Sequence, residues 1–158
     1  MSPARLGAMR GAVAALVGVL VLSVTACGGG GGRLSKEEFQ SQANAICAKY
    51  DKQLRALGSP SSIDELPDLV DQALEILNKE VAEVAALNPP EELQSDFDKM
   101  LAASNKTKEA AADLSTAAKA GDRAGVQKAL EEGNAASKEA DALATTLGLT
   151  ECNTTSAQ

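Results

Sequence analysis

The chain has 158 residues, and its composition excludes several classes of function before any motif is considered. It contains no histidine and no tryptophan, with only one tyrosine and two phenylalanines. The absence of histidine removes the commonest general base and transition-metal ligand, and the scarcity of aromatic rings argues against sugar-binding and base-stacking platforms. Because 22 acidic residues outnumber 15 basic ones, the net charge of −7 also argues against electrostatic binding of nucleic acid.

The first 26 residues have the layout of an export signal. Arg5 and Arg10 precede an uncharged run, residues 11–26, which is rich in Val, Leu and Ala. A basic start, an apolar centre and small residues before a cleavage point are typical of such signals. We expect residues 1–26 to be removed. Because Arg5 and Arg10 leave with them, the remaining single domain has 13 basic against 22 acidic residues, a net charge of −9.

The sequence Val24-Thr25-Ala26-Cys27 lies at the end of this run and resembles the lipobox of bacterial lipoproteins. The resemblance implies that Cys27 receives a diacylglyceryl thioether and becomes the N-terminus of a protein held at the extracytoplasmic face of the cell membrane. Two acyl chains suit this role, because one chain holds a protein only marginally. Two alternatives remain open: a cleaved signal without lipid, and an uncut anchor, although residues 11–26 fall short of the about 20 residues of a spanning helix.

The chain after the predicted cleavage point divides into three parts. Residues 27–33 comprise the lipidated Cys27 and a glycine-rich tether, whose five glycines span an r.m.s. distance of about 12 Å. Residues 34–152 form the folded domain, which we therefore expect close to the membrane surface. Residues 153–158 are small and polar, and we expect them to be frayed.

Two further cysteines, Cys47 and Cys152, remain in the predicted domain. Two thiols in an oxidising compartment allow only one intramolecular pairing, so we predict a Cys47–Cys152 disulfide with a structural role. Their separation is far too long for a CxxC redox motif. Two unpaired thiols are the alternative.

The first half of the domain predicts two amphipathic helices. The first begins at the capping box Ser35–Glu38 and ends at Gly58. The second starts near Ser62 or Asp64 and stops at Asn88-Pro89-Pro90. In both, apolar residues recur at steps of three and four. They are Phe39, Ala43, Ile46, Tyr50, Leu54 and Leu57 in the first helix, and Leu66, Val70, Ala73, Leu77, Val81 and Val84 in the second.

The second half predicts two more helices. Pro90 suits the first position of the third helix, Gly121 ends it, Asp122 caps the fourth, and Gly148 ends the fourth. The apolar face of the third helix comprises Leu93, Phe97, Met100, Ser104, Thr107, Ala111, Leu114 and Ala118. That of the fourth helix comprises Val126, Ala129, Gly133, Ala136, Ala140, Leu143 and Leu147. Four such helices joined by short breaks predict an all-α, antiparallel up-down-up-down four-helix bundle with one disulfide.

Ser104 and Thr107 interrupt the apolar face of the third helix, opposite the small residues Gly133 and Ala136 of the fourth. These four residues form a possible pocket in the bundle core for a small ligand. Alternatively, the two hydroxyls bond to carbonyls four residues earlier in their own helix and need no ligand. An enclosed cavity of about 300 Å³ or more would favour the pocket.

The sequence offers no catalytic or metal-binding motif. The carboxylates Asp64, Asp68, Asp71 and Glu75 recur on one face of the second helix, but a straight helix cannot wrap a calcium ion, and we interpret this face as solvated. Nothing in the sequence would activate a serine, because histidine is absent and no lysine has an apolar setting. We predict no enzyme activity, no catalytic residues, no metal and no cofactor.

Three segments carry a weaker resemblance: residues 34–47, 87–90 and 147–152. They resemble a type of small exported helical protein frequent in actinobacteria, largely without assigned function. The resemblance supports the helical fold and the Cys47–Cys152 pairing, and it supplies no active site to carry over. The sequence thus predicts a membrane-anchored lipoprotein of the cell envelope, a non-enzymatic interaction or structural module that contacts a protein or another envelope component. The alternative is a lipoprotein that binds a small ligand in the bundle core.

Overall fold

The computed structural model describes residues 32–153 of the chain, which contain helices and no strand. The four helices are α1 (Lys36–Ala56), α2 (Leu66–Ala85), α3 (Glu91–Lys119) and α4 (Arg123–Leu147), with 3₁₀ turns at Ile63–Glu65 and Thr150–Cys152. The prediction of an all-α four-helix bundle is confirmed. The predicted signal peptide, Cys27 and residues 154–158 lie outside the described residues.

Local capping signals set the starts of α1 and α4, as the sequence predicts. The Ser35 hydroxyl accepts a hydrogen bond from the Glu38 amide at 3.2 Å, and the Ser35 amide donates to the Glu38 carboxylate at 3.0 Å. These bonds complete the capping box. The Glu38 carboxylate also accepts the Ser35 hydroxyl at 2.8 Å, and the bonds that it accepts from the Ser35 amide and hydroxyl lower the pKa of Glu38. Asp122 caps α4 by accepting from the amides of Ala124 and Gly125 at 3.1 and 3.0 Å.

Two predicted helix starts differ from the structure. The helix α2 begins at Leu66, after the 3₁₀ turn Ile63–Glu65 and without a side-chain cap, and not near Ser62 or Asp64. Pro90 is the N-cap of α3 and not its first helical residue, because its ψ of 152° is extended. Its carbonyl accepts the amide of Leu93 at 3.0 Å, so Pro90 closes the first turn from outside the helix.

Two aromatic rings form the centre of the hydrophobic core. Phe39 of α1 and Phe97 of α3 are fully or almost fully buried and meet edge to face, with ring centroids 5.2 Å apart. Leu147 and Leu149 are fully buried in the same cluster. The bulky part of the core therefore lies where α1, the start of α3 and the end of α4 meet.

Small residues make up the interface between the rest of α3 and α4. Ala103 and Ala110 of α3 are buried, as are Ala129 and Ala136 of α4. A Cβ atom added at Gly133 would lie 3.4 Å from the Ala110 Cβ, so these two helices approach closely. Such packing buries little apolar area for each residue, and this part of the core contributes less hydrophobic stabilisation than the part around the aromatic rings.

The segment after α4 turns back onto α1. Gly148 allows this reversal because its φ of +76° lies in the left-handed region. The Leu149 amide then donates to the Ala144 carbonyl at 2.8 Å, and the Cys152 sulfur is bonded to the Cys47 sulfur at 2.03 Å. The predicted disulfide is confirmed, and it joins the end of the domain to the middle of α1.

Hydrogen bonds support the same junction. The Gln40 side chain donates to the Leu147 carbonyl at 2.7 Å. The Asn44 side chain donates to the Gly148 carbonyl at 3.3 Å and accepts the Glu151 amide at 2.9 Å. These bonds and the disulfide fix the N-terminal half of α1 to the end of α4.

The folded domain begins at Arg33, which the sequence assigned to the tether at 27–33. The Arg33 guanidinium donates to the Pro89 carbonyl and to the Gln94 side chain, both at 2.8 Å. The Leu34 amide also donates to the Asn88 carbonyl at 2.8 Å. Arg33 is thus held against the connection between α2 and α3. Within residues 32–153, no helix combines the length and apolar character required to cross a membrane.

Candidate functional site

A cleft of about 110 Å³ lies in the middle of the bundle. Residues of all four helices line it, together with the disulfide between Cys47 and Cys152. Its volume is well below the about 300 Å³ at the low end of ligand pockets. At about 30 Å³ for each water molecule of liquid, it corresponds to roughly four water-sized groups. The cleft is therefore too small for a ligand of ordinary cofactor size.

The structure divides the four residues of the predicted pocket between two places. Ser104 and Thr107 line the cleft. Gly133 packs on Ala110 instead, and Ala136 lines a separate surface groove between α3 and α4. The other polar residues of the cleft wall come from positions that the sequence interpretation did not select.

Both hydroxyls of the predicted pocket bond to their own helix. Ser104 Oγ donates to the Met100 carbonyl at 2.9 Å, and Thr107 Oγ1 donates to the Ala103 carbonyl at 3.2 Å. The alternative to a pocket was that each hydroxyl bonds to the carbonyl four residues earlier in its own helix, and both hydroxyls do so. A hydroxyl that donates in this way keeps oxygen lone pairs that can accept hydrogen bonds from a guest.

Glu80 of α2 is a partly buried carboxylate on the wall of the cleft. Burial raises the pKa of its carboxyl from 4.5 to about 7, and the negative charge of Asp51 adds to this effect. No group among the described residues forms a hydrogen bond or ion pair with Glu80. At neutral pH this carboxyl can therefore exchange a proton or balance a positive charge.

Glu80 was missed by the sequence interpretation, although its position carries a signal. It follows Leu77 by three residues and precedes Val84 by four, so it lies on the apolar face of α2. Asp141 of α4 is a second acidic residue of the cleft, and only 8% of it is exposed. Lys108 of α3 also lines the cleft.

Hydrogen-bonded clusters hold α2 beside its neighbours. At the α1 contact, Glu83 accepts Lys49 Nζ at 2.7 Å and the Tyr50 hydroxyl at 2.6 Å, and the ammonium of Lys49 is the main cause that lowers the pKa of Glu83. At the α3 contact, Asp71 accepts from Lys119 and Ser115. Asp71 thus belongs to an interhelical contact, which the interpretation of a wholly solvated acidic face did not anticipate.

The described residues include no group of three or more cysteine, aspartate or glutamate side chains placed to hold a metal ion. The chemistry available in the cleft is therefore that of its carboxylates, its hydroxyls and one ammonium group. These can exchange protons and form charge-assisted hydrogen bonds with a small polar guest.

Replacing Glu80 with glutamine is expected to stabilise the domain at pH 8 by about 2 kcal/mol, with little change at pH 4. The pKa of about 7 in the folded state exceeds the ordinary value of 4.5. The folded protein therefore holds a proton that the unfolded chain releases, and the stability of the wild type falls as pH rises through this window. Solvent at the partly exposed carboxyl reduces the full effect of about 1.4 kcal/mol for each unit of pKa difference.

Urea denaturation at pH 4, 6 and 8 measures this dependence. Glu75→Gln is the matched control, because Glu75 is an exposed residue of the same helix. An equal stability difference between Glu80→Gln and wild type at pH 4 and pH 8 would contradict the raised pKa.

Comparison of the chain with protein-family models, with curated proteins and with solved structures gives no match.

Proposed function

We propose that the protein is a membrane-anchored lipoprotein of the bacterial cell envelope, and that its bundle is a non-enzymatic interaction module. The observation that carries the proposal is the disulfide between Cys47 and Cys152. Stable disulfides are typical of proteins exported to an oxidising compartment. This fits the export-signal layout of residues 1–26 and the lipobox-like sequence that ends at Cys27.

The size of the cleft supports an interaction module over a carrier of a large ligand. A volume of about 110 Å³ leaves no room for a guest of ordinary ligand size. The outer surface is far larger, and it is acidic. The groove between α3 and α4 shows this, since Glu109, Asp113, Glu132 and Glu139 line it with Lys106 as its one cation. A partner with a basic surface would complement this charge.

The anchoring is tested by metabolic labelling with a fatty acid. Cys27→Ala is expected to abolish incorporation of the label, because the acceptor thiol is gone. The matched control is the double variant Cys47→Ala/Cys152→Ala, which keeps Cys27 and should remain labelled even if its bundle is destabilised. Continued labelling of Cys27→Ala would refute the lipid anchor.

The interaction module is tested by crosslinking the full chain in intact cells. We expect a specific envelope protein to be recovered, and we expect raised salt to weaken its binding, since screening reduces attraction between exposed charges. Recovery of no specific protein, together with a small molecule that co-purifies reproducibly, would overturn this proposal in favour of the second candidate.

The second candidate function is that of a lipoprotein that binds a small ligand. One observation favours it: Ser104 and Thr107 line a real cleft in the bundle. The volume of that cleft restricts such a ligand to a few non-hydrogen atoms.

A further inference from the structure

The cleft combines an apolar wall with a carboxylate that has no partner among residues 32–153. Glu80 lies among Leu77, Val81 and Val84 of α2, and Met100 and Leu101 of α3 extend the apolar lining. A partly buried carboxylate without a partner is unfavourable when ionised, because it loses hydration and gains no compensating bond. This arrangement favours a guest that brings a positive charge and a short apolar body.

The charged groups around Glu80 leave its carboxylate unneutralised. Asp51 of α1 adds negative charge and is itself paired with Arg55 at 2.7 Å. Asp141 of α4 contributes a second carboxylate to the cleft, and Lys108 of α3 contributes the one cation of its lining. Among the described residues, Lys108 forms no ion pair with Glu80.

We propose that this cleft binds a small primary alkylammonium ion, with its ammonium group against Glu80 and its aliphatic stem against the apolar wall. An ammonium group has three donors. The Glu80 carboxylate can accept one or two, and the hydroxyl oxygens of Ser104 and Thr107 are further acceptors on the same cleft. A guest of about four non-hydrogen atoms, such as propylammonium, matches the cleft volume of about 110 Å³.

This inference does not depend on the lipid anchor or on a protein partner. The same chemistry occurs at the end of a lysine side chain, whose stem is one methylene longer than that of propylammonium. A free amine suits the cleft better, since all of it fits within the available volume. The two sources of the ammonium group, a free amine and a lysine side chain, are distinguished by comparing two probes. These are propylammonium and a lysine blocked at both its backbone amine and its carboxyl.

The test is a titration of the intact, disulfide-bonded protein followed by NMR of methyl groups in Leu, Val and Met. At pH 8, propylammonium chloride is expected to shift the methyl signals of Leu77, Val81 and Met100 saturably, with a Kd in the millimolar range. Sodium chloride at equal concentration serves as the salt control. The neutral analogue 1-propanol is expected to bind at least tenfold more weakly. Equal binding of the alcohol and the ammonium ion would overturn the proposal.

Glu80→Gln is expected to weaken propylammonium binding at least tenfold and to remove the preference over 1-propanol. Glu75→Gln should leave both unchanged, because Glu75 is exposed and outside the cleft. Binding to the wild type is also expected to weaken more than tenfold between pH 8 and pH 5, as Glu80 becomes protonated. An unchanged affinity of Glu80→Gln for propylammonium would refute the site. Tighter binding of the blocked lysine than of propylammonium would refute the free amine as the guest. If Glu80→Gln does not fold, the proposal is tested by comparing the binding of propylammonium and 1-propanol to the wild type.

Discussion

Replacing both Cys47 and Cys152 with alanine is expected to lower the free energy of unfolding by about 4 kcal/mol. The disulfide joins residues 105 positions apart, so it removes a large amount of conformational freedom from the unfolded chain. In the folded state it holds the segment after α4 against α1. A loss of this size is comparable to the whole stability of many small domains, and urea denaturation of the two proteins measures it.

Chemical reduction provides the control for this prediction. A thiol reductant should destabilise the wild type by a similar amount and should have no effect on the double variant, which lacks both sulfur atoms. A difference below about 1 kcal/mol between oxidised wild type and double variant would show that the disulfide is not a main source of stability.

Phe39→Ala is expected to cost about 4 kcal/mol, within the range for phenylalanine removed from a core. Phe39 is fully buried, and its ring meets that of Phe97 edge to face at 5.2 Å. The variant loses the burial of the ring, the contact between the two aromatic groups, and the packing around the cavity that remains. Thermal and urea denaturation of the disulfide-bonded variant measure the loss.

Two control variants separate core packing from general effects of mutation. Leu130→Ala should change stability by less than about 0.5 kcal/mol, because Leu130 is 47% exposed. Phe39→Leu keeps most of the apolar volume and should cost about 1.5 kcal/mol. If Phe39→Ala and Leu130→Ala had equal effects, the aromatic pair would not be the centre of the core.

The starts of α1 and α4 and the end of α4 could be predicted from the sequence because their signals are local. Ser35 and Glu38 are three residues apart and satisfy each other's amides, and Asp122 binds amides only two and three residues away. Gly148 supplies the left-handed conformation that ends α4. Each of these residues acts within one turn of helix, so no knowledge of the tertiary structure is needed.

The walls of the cleft could be predicted only in part, because they depend on how helices meet. Periodicity places Ser104 and Gly133 on the inner faces of α3 and α4, but it does not say which residues oppose each other across the interface. In the structure Gly133 lies against Ala110, whereas Ser104 lines the cleft. Glu80 was not among the predicted site residues, although its spacing from Leu77 and Val84 could have identified it as a carboxylate on an apolar face.

The reversal after Gly148 bears on the export that we propose for this chain. Leu149 and Cys152 close the core, yet they follow all four helices in the sequence. If the chain is exported as proposed, translocation from the N-terminus would deliver Cys47 long before Cys152, and Cys47 would be a thiol without its native partner during most of the transfer. Acylation of Cys27 at this stage would remove the competing thiol and leave only the correct pairing to form.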